Sequence, residues 1–134
     1  MIKYANLELA KKNGDAPWDL VVPELCNEHI MVFQDRYPVT EGHLLFVPKS
    51  NTDEHILVAM GNAWIVGRER VERGEYQGFN IGLNINKVAG QTVMYPHIHL
   101  IPRRQGDCPD PTGGVRNVIP GKGNYKKNDT LDKT

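Results

Sequence analysis

The sequence predicts an α+β fold with an antiparallel β-sheet, one main α-helix and a short N-terminal helix. Two β-prone segments precede a long segment with helical spacing, residues 51–73, and two more, residues 79–86 and 91–101, follow it. In the first of these later segments, residues 79–86, apolar and polar side chains alternate, which is typical of a strand with one buried face. The short helix is predicted for residues 5–12, because Asn13-Gly14 is a common helix end.

The first two strands are predicted for residues 30–34 and 43–47. Only a few turn-forming residues separate them, so we expect the two strands to pair in antiparallel orientation. Within the main helix, Asn51 is the predicted N-cap. Met60 and Trp64 fall on the helical repeat of apolar residues and are expected to pack in the core.

The length of 134 residues fits one compact domain. Residues 1–25 form a predicted N-terminal arm, which packs through Trp18 and Leu20. Residues 26–120 form the predicted domain itself. Residues 121–134 contain few apolar side chains and are expected to be a flexible tail.

Charge and cysteine content argue against several classes of protein. The 16 basic and 16 acidic residues cancel, so no general affinity for nucleic acid is expected. No apolar run reaches the length of a membrane span and the N-terminus lacks a signal-like segment, so no membrane partner is expected. Cys26 and Cys108 form no C-x-x-C pair, which favours a reducing compartment and predicts a cytoplasmic protein.

The strongest chemical signal is the run Tyr95-Pro96-His97-Ile98-His99. Residues i and i+2 on a strand project from the same face, so two imidazoles and a phenol are expected side by side. Asn84 is expected on the polar face of the preceding strand. If the two strands pair, amide, imidazole and phenol groups gather over one patch of the sheet.

Two chemical interpretations of the histidine pair remain open at this point. A metal site would use His97 and His99 with His43 as a third ligand, although no carboxylate follows His99 closely. Nucleophilic catalysis at phosphorus would use a neutral imidazole, with its neighbour assisting the leaving group. Phosphoryl transfer also needs groups that stabilise charge, which backbone and side-chain donors just before the strand, and Arg103 and Arg104 after it, could supply.

Two segments resemble the motifs of the histidine triad (HIT) superfamily. Residues 89–103 resemble its signature, in which histidines alternate with apolar residues, and residues 34–49 resemble its upstream motif. Residues 106–107 and 113–116 are similar to bacterial and phage-type members, which suggests the branch of diadenosine polyphosphate hydrolases. The resemblance covers roughly residues 26–120 and implies the HIT-like version of the predicted fold.

The resemblance implies a nucleotide hydrolase or nucleotidyl transferase that acts at an α-phosphate through a nucleotidyl-histidine intermediate. It implies His97 as the nucleophile, His99 as the group that supports the leaving group, and His43 as an outer member of the histidine cluster. It also implies Asp35 as the ligand of the ribose hydroxyls. The residues implied near the phosphate are Asn84, Gln91 and Thr92. Tyr95 stands where the family has its first histidine, and its phenol can still form a hydrogen bond with the substrate.

The resemblance further implies a purine nucleotide as substrate and a homodimer as the assembly. No cofactor or resident metal is expected, although Mg²⁺ could accompany a polyphosphate substrate. Two alternatives of other classes stay open: a nucleotide-binding module with weak turnover, suggested by Tyr95, and a metal-dependent enzyme. Nucleotidyl transfer to a sugar phosphate is a further variant, suggested by the Tyr-Pro-His sequence.

Overall fold

The computed structural model describes residues 3–126, and it has the predicted α+β architecture. The chain divides into two compact units, residues 1–103 and residues 104–134. The first unit contains all the strands and α-helices described here: α1 (Leu7–Lys12), β1 (Ile30–Gln34), β2 (Leu44–Pro48), α2 (Asp53–Glu72), β3 (Gly78–Leu83) and β4 (Ile98–Arg103). None of the helices within residues 3–126 is long and apolar enough to cross a bilayer.

The four strands form one antiparallel sheet in the order β1-β2-β4-β3. The predicted pairing of the first two strands is confirmed, with Ile30 opposite Pro48. Strand β4 is central, and His99 pairs with Leu45 on one side and with Gly82 on the other. The backbone of His99 is therefore held by neighbouring strands on both sides.

One face of the sheet packs against α2, and small helical residues make this contact. Ala59 and Ala63 are fully buried in the main core. Met60 and Trp64, which were expected in that core, are instead 38% and 54% exposed, so this prediction is wrong. The physical reason is the close approach of the helix, since a stripe of small side chains lets its backbone lie nearer the sheet than bulky residues would.

Gly67 continues this stripe of small residues and is packed against Phe79. A Cβ atom added at Gly67 would lie 2.9 Å from the Phe79 ring, whereas one added at Gly61 on the same helix meets nothing within 4 Å. We expect Gly61→Ala to raise the free energy of unfolding by about 0.5–1 kcal/mol, because alanine favours helix. Gly67→Ala should lower it by about 1–3 kcal/mol, because the ring must move. Urea unfolding of both variants measures the difference, and an equal gain in both would contradict the close packing.

The other face of the sheet is covered by the N-terminal arm. Leu7 and Ala10 of α1 join Phe33, Leu45 and buried neighbours in a second apolar cluster. Further along, the arm follows the edge of β1 through two backbone hydrogen bonds. The amide of Val22 donates to the carbonyl of Val32, and the amide of Gln34 donates to the carbonyl of Leu20. The arm thus adds a layer opposite α2.

The arm packs through residues that differ in part from the predicted ones. Trp18 does pack, with its ring centroid 5.9 Å from that of Phe33. Leu20 is 45% exposed, so its predicted packing is wrong, and the buried arm residue beyond α1 is Ala16. Leu20 takes part in the fold through its carbonyl, which accepts from Gln34, so backbone pairing and not side-chain burial fixes its position.

Three element boundaries also differ from the predicted ones. The N-cap of α2 is Thr52, whose side chain accepts from the amide of His55, while the Asn51 side chain donates to the Tyr4 carbonyl. Strand β3 ends at Leu83, before Asn84. Strand β4 begins only at residue 98, so residues 91–97 are irregular. Proline at position 96 has no amide hydrogen for a strand ladder, which accounts for the late start.

The second unit, described to residue 126, is organised around a short 3-10 helix, Gly114–Val118. Gly113 before it has φ 89°, and a Cβ there would lie 1.8 Å from the Gly123 carbonyl oxygen. The Arg116 side chain donates to that same carbonyl. The glycine pair at 113–114 therefore forms a tight turn in this unit. Of the tail predicted for residues 121–134, residues 127–134 lie outside the described part of the chain. The predicted limits of the arm, the domain and the tail stay a prediction.

Candidate active site

The first unit contains a cavity of about 370 Å³ on the arm-covered face of the sheet. Ligand pockets of this size hold small molecules such as nucleotides. Three parts of the chain form its wall: the arm, the end of β1 with the following turn, and the β3–β4 connection with the start of β4. The wall residues are Pro17, Trp18, Asp19, Gln34, Asp35, Arg36, Tyr37, Leu45, Asn84, Gly90, Gln91, Thr92, Val93, His97 and His99.

His97 has a defined protonation pattern in this cavity. Its Nδ1 lies 2.8 Å from the backbone carbonyl oxygen of Tyr95. A carbonyl oxygen can only accept, so Nδ1 of the neutral ring carries the proton and Nε2 carries the lone pair. The ring is 8% exposed and belongs to the cavity wall. His97 therefore offers an unprotonated imidazole nitrogen, the form required of a nucleophile.

A chain of hydrogen bonds likewise sets the protonation of His43 and His99. The amide of Val39 donates to Nδ1 of His43 over 3.1 Å, so the proton of His43 is on Nε2. That Nε2 lies 2.9 Å from Nδ1 of His99 and donates to it. The neutral His99 ring must then carry its own proton on Nε2. The His99 ring centroid lies 5.1 Å from that of His97, so the ring that carries this donor is a direct neighbour of the His97 imidazole.

Burial favours the neutral form of all three imidazoles. It lowers the pKa of His43, where the Asp35 carboxylate partly opposes it, and the pKa of His97, where the hydrogen bond to the Tyr95 carbonyl and then Asp35 partly oppose it. For His99, burial and then repulsion from the His97 and His43 rings lower the pKa to about 4. Shifts of this kind are common at functional sites, because a nucleophile must be unprotonated at the working pH. The three rings are therefore uncharged at neutral pH.

Asp35 and Asn84 both belong to the cavity wall. One carboxylate oxygen of Asp35 accepts from the amide of Tyr37 over 2.8 Å, and the other lies 3.5 Å from Nε2 of His43. The side chain stays 18% exposed. Within residues 3–126, the carboxamide of Asn84 makes no hydrogen bond, so both its donor and its acceptor are available to a ligand. The roles of both residues stay predictions.

Gln91 and Thr92 also reach the cavity, but their side chains are engaged to different extents. The Gln91 carboxamide accepts from the amide of Asn86 over 2.7 Å and donates to the Val93 carbonyl over 3.1 Å. It is 6% exposed, and its two hydrogen bonds stabilise the β3–β4 connection, which forms part of the cavity wall. Thr92 is exposed beside it. The predicted phosphate contact of Gln91 would rely on its second amide hydrogen, since the first is used within the loop.

The structure corrects the expectation that Tyr95 binds substrate through its phenol. Its side chain is fully buried in the second apolar cluster and is absent from the cavity wall. Its hydroxyl donates to the Pro48 carbonyl over 2.8 Å. Tyr95 does lie on the expected side of the sheet, but there the N-terminal arm covers it. Strand alternation indicates the face that a residue occupies and does not reveal what covers that face.

Sequence reasoning missed the rim of the cavity. Trp18 was assigned to packing, yet its ring centroid also lies 5.0 Å from that of His97. Arg36 forms an ion pair with Asp19 across this rim, which joins the turn after β1 to the arm. The signal that could have revealed this rim is the β-prone run at residues 20–22, which marks the arm as a partner of β1.

The positive charge expected from the arginines after β4 is not found in the cavity wall. Arg103 donates to the Asn80 side chain over 2.7 Å, and it is absent from the wall. Arg104 belongs to the second unit. The charged residues of the wall are Asp19, Asp35 and Arg36, of which Arg36 and Asp19 neutralise each other.

A metal ligand set also exists within the described residues. Asp35, His43 and His99 each offer one atom, and these atoms lie within 4.8 Å of one another. Coordination of a metal by Nε2 of His43 would move the proton of this ring to Nδ1. The Val39 amide already donates a hydrogen bond to Nδ1. The Nδ1–H of His43 and the N–H of Val39 would then face each other, and neither could accept a hydrogen bond. The hydrogen-bond pattern therefore favours the imidazole chain over a metal centre.

The chain belongs to the HIT domain family, whose motif pattern matches residues 24–106. A HIT-like protein of Methanocaldococcus jannaschii is 35% identical over 103 residues, covering 71% of this chain and 76% of the relative. The adenylylsulfatase HINT3 of Arabidopsis thaliana is 31% identical over 81 residues, covering 55% of this chain and 41% of the relative. A crystal structure of a zinc-bound histidine triad family protein from Mycobacterium smegmatis matches with TM-score 0.61 and 27% identity, over 96% of each chain.

Proposed function

We propose that the protein is a nucleotide hydrolase that cleaves a substrate at its nucleoside α-phosphate through a covalent nucleotidyl intermediate on His97. One observation carries the proposal. The hydrogen bond from Nδ1 of His97 to the Tyr95 carbonyl leaves the Nε2 lone pair free in a nucleotide-sized cavity, beside the donor of His99. Membership of the HIT domain family supports the same chemistry.

The reaction has two displacements at phosphorus. In the first, the Nε2 lone pair of His97 forms a bond to the α-phosphorus while the bond to the leaving group breaks. The leaving group departs with the electron pair, assisted by a hydrogen bond from Nε2 of His99, and takes a proton from solvent. In the second, water attacks phosphorus and releases a proton to solvent, the nitrogen–phosphorus bond breaks, and the lone pair returns to His97. Asn84 and Thr92 donate to the phosphoryl oxygens.

The charge of the cavity wall favours a leaving group of low charge. The three imidazoles are neutral, and Arg36 is already paired with Asp19. The described wall therefore provides no uncompensated positive charge to balance an oligophosphate. A nucleoside phosphoramidate, whose leaving group is an amine, avoids this mismatch. A relative from Arabidopsis thaliana is named an adenylylsulfatase, and sulfate likewise carries less charge than an oligophosphate.

Stereochemistry at phosphorus tests the covalent intermediate. We expect hydrolysis of a chiral α-phosphorothioate substrate in isotopically labelled water to proceed with net retention, because two inversions follow each other. Direct attack by water would give inversion and would refute the proposal. In parallel, kcat/KM for adenosine 5′-phosphoramidate should exceed that for diadenosine tetraphosphate by roughly tenfold or more, because unbalanced like charge is costly. The reverse preference would overturn the proposed substrate class alone.

The homodimer is also a proposal. The outer face of α2 supports it, because Leu57, Met60 and Trp64 leave large apolar surfaces exposed there. Exposed apolar groups close together on one surface often mark a protein–protein interface.

A further inference from the structure

Tyr95 has the largest side chain among those fully buried in the described residues. Its ring packs in the second apolar cluster, beside Phe33, Leu45 and Val47. Its hydroxyl reaches the carbonyl of Pro48 at the end of β2, 47 positions earlier in the chain, over 2.8 Å. Both the ring and its polar end are therefore fixed by parts of the fold that are remote in sequence.

The backbone of the same residue makes the bond that sets the protonation of His97. The Tyr95 carbonyl accepts from Nδ1 of His97 over 2.8 Å. No strand pairing fixes the direction of this carbonyl, because β4 begins only at residue 98. The following residue, Pro96, has no amide hydrogen with which to anchor the segment. Pro96 restricts the backbone angles on both sides of this carbonyl, and the buried, hydrogen-bonded side chain of Tyr95 ties the segment to the rest of the fold.

We propose that Tyr95 is a positioning residue whose hydroxyl, bound to the Pro48 carbonyl, holds the backbone that keeps the proton on Nδ1 of His97. The phenol never touches the substrate, since it lies outside the cavity wall. It acts through His97, whose Nε2 lone pair is available only while Nδ1 carries the proton. This inference rests on the proposed function for its catalytic consequence, but its structural part concerns the free protein.

The test compares Tyr95→Phe with the wild type by ¹⁵N NMR of the His97 side chain. We expect one tautomer in the wild type, protonated at Nδ1, and a mixture of tautomers in the variant. We also expect kcat to fall by about tenfold while KM changes less than about twofold, because a misplaced nucleophile affects the reaction more than binding. Tyr95→His is the second variant, for use if Tyr95→Phe folds poorly. Its shorter ring cannot reach Pro48, so it should shift the His97 tautomers in the same direction.

Tyr4→Phe is the matched control. Tyr4 also packs against the second apolar cluster, and its hydroxyl donates to Asp15 over 2.5 Å, but it has no bond to His97 or Tyr95. This variant should unfold at a lower urea concentration and keep the His97 tautomer and kcat of the wild type. A folded Tyr95→Phe protein with unchanged tautomer and kcat would overturn the inference. Since the NMR measurement uses no substrate, it decides this even if wild-type hydrolysis is absent.

Discussion

His97→Gln should abolish turnover of a nucleoside phosphoramidate, with kcat/KM reduced by roughly three orders of magnitude or more. Glutamine keeps much of the volume and can still bond the Tyr95 carbonyl, but it has no nitrogen lone pair that can attack phosphorus. Rapid-quench kinetics followed by intact-mass measurement would show a nucleotide adduct on the wild type and none on the variant. If the His97→Gln variant hydrolyses the substrate at the wild-type rate, His97 is not the nucleophile.

His99→Gln separates the two histidine roles within the same experiment. His99 is expected to donate and not to attack, so its loss should slow the reaction by about a hundredfold. The adduct on His97 should still form, only more slowly. A matched control is His29→Gln, because His29 lies outside the cavity wall and faces His55 at the surface. Loss of the adduct in His99→Gln with retention in His97→Gln would reverse the assignment.

Acidification from pH 6.5 to 4.5 should destabilise the protein strongly. The native pKa values of His43, His97 and His99 are lowered, that of His99 to about 4, whereas an unfolded histidine titrates near 6.5. In this window the unfolded state binds more protons than the native state, so the free energy of unfolding falls as pH falls. Each histidine contributes at most about 1.4 kcal/mol per pH unit. Urea unfolding at several pH values measures the slope.

The matched variants identify which residues cause this slope. His99→Gln removes one of the three imidazoles whose pKa is lowered and should make the dependence of stability on pH shallower. His29→Gln makes the same substitution outside the cavity wall and is the control. The same reduction in both variants would mean that the buried cluster is not the source. Stability that stays constant down to pH 4.5 would contradict neutral burial of the three rings.

The sequence was sufficient to predict the sheet, the main helix and the grouping of the reactive pair. His97 and His99 fall two positions apart beside apolar residues, so a strand pattern predicts that both face one side. Both do line the cavity, although His97 lies one residue before β4. The pairing of β3 with β4 then brings Asn84 to the cavity wall. Local patterns succeed here because each depends on the geometry of one strand or one pair of neighbours.

The features that the sequence did not predict depend on tertiary contacts. Helical spacing favoured Met60 and Trp64 as core residues, yet the distance between α2 and the sheet selects Ala59, Ala63 and Gly67. The distance between the helix and the sheet cannot be predicted from the repeat of apolar residues in the helix alone.

Tyr95 illustrates the same limit at the site. The resemblance to the histidine motif implied a side chain facing the substrate, and strand alternation gave the correct side of the sheet. The arm that covers Tyr95 comes from residues far away in the chain, so no local pattern indicates it. The same arm brings Trp18 to the cavity, which sequence analysis treated only as packing.

The central position of β4 has a consequence for how the protein can diverge. The backbone of His99 is paired with a strand on each side, while the rim of the cavity comes from the arm and from the turn after β1. Substitutions at Trp18, Asp19 or Arg36 can reshape the entrance without displacing that backbone. Under the proposed function, the residues that react and the residues that form the entrance thus belong to different parts of the chain, so the entrance can change while the histidines keep their positions.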